Sequence, residues 1–171
     1  CSSPHCLSGF REWLKAGYGT IDRLNAAWKR QYTGFDEAVP LTTAEAKKEQ
    51  NLAPWVDHRR FMARVVYGLF QRAQRVGASV IPGVRFSLSG TQRPTPYTGI
   101  DWYLLDKVLG AIEPYSIACQ DYLHRDFMPN GRVTAFSGYG QRGKGLFTQH
   151  WRRLLAGQDG MSYFWRYEIV N

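Results

Sequence analysis

Few side chains in this sequence stand where chemistry could be done. Two carboxylates follow apolar, strand-like segments: Asp121, just past Tyr115-Ser-Ile-Ala-Cys119, and Glu168, just past Trp165. Parallel strands present catalytic groups at their C-terminal ends, so both are candidate acid, base or nucleophile positions. Asp121 could equally cap a helix, and Glu168 could be a surface carboxylate beside Arg166. Trp165 offers a flat ring on which the CH face of a pyranose could pack, or a core side chain. Arg85, between Val84 and Phe86, either donates hydrogen bonds into the interior or snorkels from the end of its strand. Tyr139 sits between glycines in Ser137-Gly-Tyr-Gly140, a turn that could close over a substrate. The glycines continuing to Gly143-Lys-Gly145 suit a phosphate-cradling loop ahead of a helix but lack the P-loop spacing. At the other end, Cys1 and Cys6 lie close together; with Cys119 they make three cysteines, too few for a disulfide framework.

The elements that must position these residues follow from periodicity. Leu7, Phe10 and Leu14 recur at helical spacing up to Gly17 and Gly19, and Thr20 caps a second helix carrying Ile21, Leu24 and Trp28. Residues 31–53 lack a period and read as a loop with one helical turn. From Trp55 to Val76 a long amphipathic stripe runs through Phe61, Val65, Leu69, Ala73 and Val76, with Gly77 as C-cap. A strand over 79–88 follows, then a loop over 89–98. A helix from Ile100 to Ile112 is stopped by Pro114, and strands are expected at 115–119, 132–136 and 161–165, with a helix ending at Gly157 before the last. Short apolar strands alternating with helices imply parallel pairing by right-handed crossovers, an α/β fold. Four such strands alone leave an open parallel edge. The pattern therefore predicts the C-terminal half of a TIM (β/α)8 barrel, preceded by two short helices of the loop after strand four: residues 1–53 as helical insertion and loop, 54–171 as helix four to strand eight.

Composition narrows the function. The chain has 171 residues, 44% of them hydrophobic and 21% charged, as in soluble domains, and no apolar run spans a bilayer. No export signal is recognisable, so the compartment, cytoplasmic or secreted, is not read from the sequence. The formal charge of +8 is dispersed over helix faces, as in His58-Arg-Arg60 and Trp151-Arg-Arg153, which argues against nucleic acid as partner.

The opening Cys1-x4-Cys6-x3-Phe10-x2-Trp13-Leu14, followed by Tyr18-Gly-Thr-Ile21 and Leu24-Asn-Ala-Ala-Trp28, resembles the segment after strand four in glycoside hydrolase family 42 β-galactosidases and related clan A barrels. The resemblance implies a carbohydrate substrate and no required cofactor; the lack of an apolar run argues against a membrane partner, and a homo-oligomer is open to the full protein. The resemblance also implies a general acid/base Glu in an Asn-Glu pair upstream of Cys1, and a nucleophile Glu at the end of strand seven. The latter falls near Thr134 to Gly138, which reads Thr-Ala-Phe-Ser-Gly and holds no carboxylate, leaving Asp121 and Glu168 as catalytic candidates. Asp121-Tyr122 resembles an Asp and a Tyr that clan members use on substrate hydroxyls, and Arg85, Tyr139 and Trp165 are the other substrate-binding candidates. The family's zinc cluster would use Cys1 and Cys6, with Ser3 in the middle position and His5 as the only local substitute. The sequence thus supports a β-galactosidase-like hydrolase. The rivals are a noncatalytic carbohydrate-binding barrel and a basic phosphate- or nucleic-acid-binding module.

Overall fold

The computed structural model describes residues 3–91, 100–115, 120–137 and 143–163. They form two compact units, residues 1–64 and 65–171.

In the first unit, helix α1 (Pro4–Tyr18) begins where the Ser3 hydroxyl accepts the Cys6 N–H at 3.3 Å and Pro4 fills the first turn, where its missing N–H costs nothing. It ends at Gly19, whose φ of 75° allows its N–H to turn back to the Lys15 carbonyl. Thr20 then caps α2 (Ile21–Trp28), as its position predicts. A 3₁₀ turn (Phe35–Glu37) and the short α3 (Thr43–Ala46) occupy the expected loop, and α3 is held by a Thr42/Glu45 capping box. The apolar positions of α1 and α2 converge with Phe61 of α4 (Ala53–Val80): Phe10, Leu14, Leu24, Trp28, Ala38 and Phe61 make one buried cluster.

The second unit carries a parallel sheet of order β1-β2-β3-β4: β1 Ser87–Thr91, β2 Ala111–Pro114, β3 Arg132–Ser137 and β4 Gly160–Tyr163. Helices α5 (Trp102–Leu105), α6 (Gln120–Phe127) and α7 (Gly143–Leu155) alternate with the strands. Leu88, Ile112 and Val133, on one face of the sheet, meet Val66, Phe70, Trp102, Leu105, Leu109 and Met128 in a second core.

Several expectations need correction. Gly77 does not cap α4, which runs on to Val80; the glycine is there because a Cβ would stand 2.6 Å from the Phe86 ring. Val66 and Phe70 are the α4 residues that pack on the second core, while Val65, Leu69 and Val76, on the expected apolar stripe, are exposed. The strand expected at 79–88 starts only at Ser87, after a turn at Gly83 with φ 82°. The helix expected over 100–112 is a single turn, because Gly110 hands its N–H to the Phe86 carbonyl and the chain then pairs as β2. Of the strand expected at 115–119, Tyr115 makes one parallel bridge to Phe136 and residues 116–119 lie outside the described residues. α6 fills the stretch between the strands expected at 115–119 and 132–136, where the periodicity marks no helix. On α7, Leu146 is buried while Phe147, Trp151, Leu154 and Leu155 are exposed.

Candidate functional site

Alternation along the strands fixes which residues share a face. Ile112 and Pro114 are buried on the helix side of β2, so Ala111, Glu113 and Tyr115 face the other way. Register extends this face across the sheet. Ser89 is the Cα partner of Glu113, Val133 that of Ile112, and Gly160 that of Thr134, so one row runs Ser89, Glu113, Thr134, Gly160. The next row toward the strands' C-terminal ends holds Tyr115 and Phe136, whose rings meet edge to face at 5.2 Å and 80°. β1 bulges between Ser89 and Thr91, and Gly90 takes φ 64° there; a Cβ on it would sit 3.3 Å from the Tyr115 hydroxyl. The bulge therefore makes room for that ring.

Glu113 is the sole carboxylate on the four described strands and is half-buried. The Thr134 hydroxyl beside it is committed to the Ile112 carbonyl at 3.2 Å. Reading residues 100–112 as helix, with Pro114 as its stop, hid Glu113. The usable signal was the alternation Ile112-Glu113-Pro114-Tyr115 directly after Gly110.

The residues singled out from sequence scatter. Asp121 and Tyr122 lie on α6 rather than at a strand end; Tyr122 is exposed, and the Asp121 side chain is outside the described part. Arg85 precedes β1, at the N-terminal end of the sheet, its stem packed where a Gly110 Cβ would meet it at 2.6 Å. Tyr139, Trp165, Glu168 and Cys1 lie outside the described residues. Cys6 is half-buried on α1 and His5 exposed; Ser3, in the middle position of the expected zinc cluster, serves as helix cap. Cys1, Cys6 and His5 together fall short of four ligands, and no group of three His, Cys, Asp or Glu among the described residues could hold a metal. Lys144, Gly145, Thr148, Gln149 and Arg152 line a shallow groove of about 510 Å³ along α7, a single helix face without converging groups. No described helix is long and apolar enough to cross a membrane.

In the first unit two groups are pushed well away from their ordinary ranges. Asp57 is buried and accepts from the Tyr18 hydroxyl at 2.6 Å and from Trp28 Nε1 at 2.8 Å, both on Oδ2. Burial and then this bond to Asp57 push the Tyr18 hydroxyl up to about 12. Burial, with the charge of Arg59 adding to it, pushes the neighbouring His58 down to about 4. His58 packs edge-on against Phe10 at 5.4 Å, so this cluster ties the helices of the first unit together.

Parallel strands in sequential order, helices on one face and a polar row on the other define a segment of a (β/α)8 barrel. Among solved structures, the β-galactosidase from Bacillus circulans sp. alkalophilus superposes with a TM-score of 0.78 at 18% identity, over 96% of this chain and 28% of that one. The β-amylase catalytic domain from Paenibacillus polymyxa gives 0.69 at 18% identity over 96% of this chain and 49% of that one, so the fold is shared with other sugar chemistry. Sequence narrows this: β-galactosidase BgaA of Thermus sp. is 41% identical over 81 residues, 43% of this chain and 12% of that protein. The family model of glycoside hydrolase family 42, β-galactosidase, matches residues 1–112, and the chain belongs to that family. It spans a small part of its relatives' length, 12% and 28% in these two comparisons.

Proposed function

We propose that these residues form the strand-five-to-eight half of a barrel that binds terminal β-linked galactose and, completed by the strands that close it, hydrolyses the glycosidic bond. The observation carrying this reading is family membership over residues 1–112 together with a parallel sheet whose free face is polar. A retaining mechanism needs one carboxyl group to protonate the leaving oxygen and a second, about 5 to 5.5 Å away, to attack the anomeric carbon. The 171 residues contain no Asn-Glu pair, so the acid/base would come from chain beyond them. β3 ends Thr-Ala-Phe-Ser with no carboxylate, and Ser137 cannot replace one, which favours a second reading: a barrel that binds sugar without cleaving it. Glu168 and Asp121 are the nucleophile candidates under the first reading.

The test uses the polypeptide from the complete reading frame with 4-nitrophenyl β-galactoside and, separately, calorimetric titration with galactose. Turnover that is lost in Glu168→Gln or Asp121→Asn, and restored to the alanine variant by azide, identifies the nucleophile. Binding without turnover establishes the sugar-binding barrel. Neither binding nor turnover, with salt-sensitive retention on polyanions, would replace both readings with a basic binding module.

A further inference from the structure

We propose that Glu113 is the carboxylate on the barrel's inner face that grips the sugar, accepting hydrogen bonds from neighbouring hydroxyls of the terminal galactose. This rests on the reading that the completed barrel binds β-galactosides. The interior of a (β/α)8 barrel is ordinarily filled by layers of bulky branched side chains contributed by alternate strands. Here the register row through Glu113, which crosses those layers, is Ser89, Glu113, Thr134 and Gly160: beside the carboxylate, one serine, one threonine and one position with no side chain. Among the described residues a Cβ added at Gly160 would meet Thr134 Cγ2, at 3.7 Å, so these four positions put little bulk beside Glu113.

The space has the chemistry of a sugar site. Its rim toward the strands' C-terminal ends is the Tyr115–Phe136 ring pair, 5.2 Å apart and edge to face. Aromatic faces take the CH side of a pyranose, while a carboxylate oxygen accepts from its hydroxyls. A carboxylate inside a closed barrel is costly unless hydrogen-bonded, and of the two hydroxyls beside Glu113 in the row, Thr134 Oγ1 donates to the Ile112 carbonyl instead, while no hydrogen bond joins Ser89 to Glu113. Arg132, on the same face one step nearer the strands' N-terminal ends, makes no ion pair with Glu113. Glu113 thus stands on the free face with its acceptor capacity unspent by the protein groups beside it.

The experiment is calorimetric binding of galactose and of its 3-deoxy, 4-deoxy and 6-deoxy analogues to the complete polypeptide and to Glu113→Gln, with thermal melting of both. Glu113→Gln exchanges an acceptor oxygen for a donor in nearly the same volume, and galactose affinity should fall roughly 10- to 100-fold, as for one charge-assisted hydrogen bond. At least one deoxy analogue should lose little further affinity in the variant while losing it in the wild type. Unchanged galactose affinity in Glu113→Gln overturns the proposal. If stability and affinity fall together, the analogues decide: equal weakening in both proteins for every deoxy sugar overturns it, and an unequal loss for any one of them supports it. Should the wild-type polypeptide bind no galactose, the functional reading itself fails, which is a separate result.

Discussion

Replacing Asp57 tests the account of what holds the first unit together. Oδ2 accepts both the Tyr18 hydroxyl at 2.6 Å and Trp28 Nε1 at 2.8 Å, and Trp28 is fully buried. In Asp57→Ala the indole N–H has no route to water, and an orphaned buried donor costs about 1 to 3 kcal/mol. The half-buried Tyr18 hydroxyl can recover a water and adds about 1 kcal/mol, so the total is about 3 kcal/mol. Asp57→Asn keeps an oxygen at the same point and should cost about 1 kcal/mol, the difference between a charged and a neutral acceptor. Urea unfolding measures both, and Tyr18→Phe completes the cycle: Asp57→Ala with Tyr18→Phe should cost about 1 kcal/mol less than the sum of the singles. Tyrosinate absorbance adds an independent reading, because loss of the carboxylate should lower the Tyr18 hydroxyl from about 12 toward its ordinary range. Equal costs for the Asn and Ala variants, or strict additivity, would refute the argument.

Three further outcomes are expected. His58, held near 4 in the folded chain, takes up a proton on unfolding between pH 4 and its ordinary 6.5, so stability is full above that window and falls through it, by about 1 to 2 kcal/mol after solvent screening; melting from pH 7 to 4.5 should show this, and His58→Gln should flatten it. Gly77→Ala, which gains about 1 kcal/mol in an ordinary helix interior, should destabilise here by about 1 to 3 kcal/mol because its Cβ meets Phe86 at 2.6 Å; a gain in melting temperature would show that the ring yields freely. Asp106 accepts from Asn130 N, Asn130 Nδ2 and Gly131 N, so Asp106→Ala should cost about 2 to 4 kcal/mol in chemical denaturation, and Asp106→Asn clearly less.

What the sequence displayed and what it concealed divide along a physical line. α1 and α2 were legible because their stop and start signals are local: Gly19 at positive φ, Thr20 as cap, and apolar residues at helical spacing. The parallel α/β class was legible because short apolar strands alternate with helices. The boundaries that failed are those decided by distant partners. Gly77 reads as a cap until the Phe86 ring is placed against it, and Ile112 continues a helical period until Gly110 bonds to Phe86 and Ile112 pairs with Val133.

The same distinction bears on the missing nucleophile. A search for carboxylates after predicted strand ends turned up Asp121 and Glu168, because sequence order is the only distance a sequence displays. Register supplies the other distance. Glu113 and Thr134 are 21 positions apart in the chain yet adjacent in one row, as Ile112 opposite Val133 requires. A barrel that had lost its sugar site altogether would be free to fill that row with branched apolar side chains and gain their burial. Ser89, Thr134 and Gly160 contribute almost none. A polar row around a carboxylate is what the proposed sugar site requires, whereas β3 carries no carboxylate at its end, so under the hydrolytic reading the nucleophile has to come from elsewhere, with Glu168 and Asp121 the candidates.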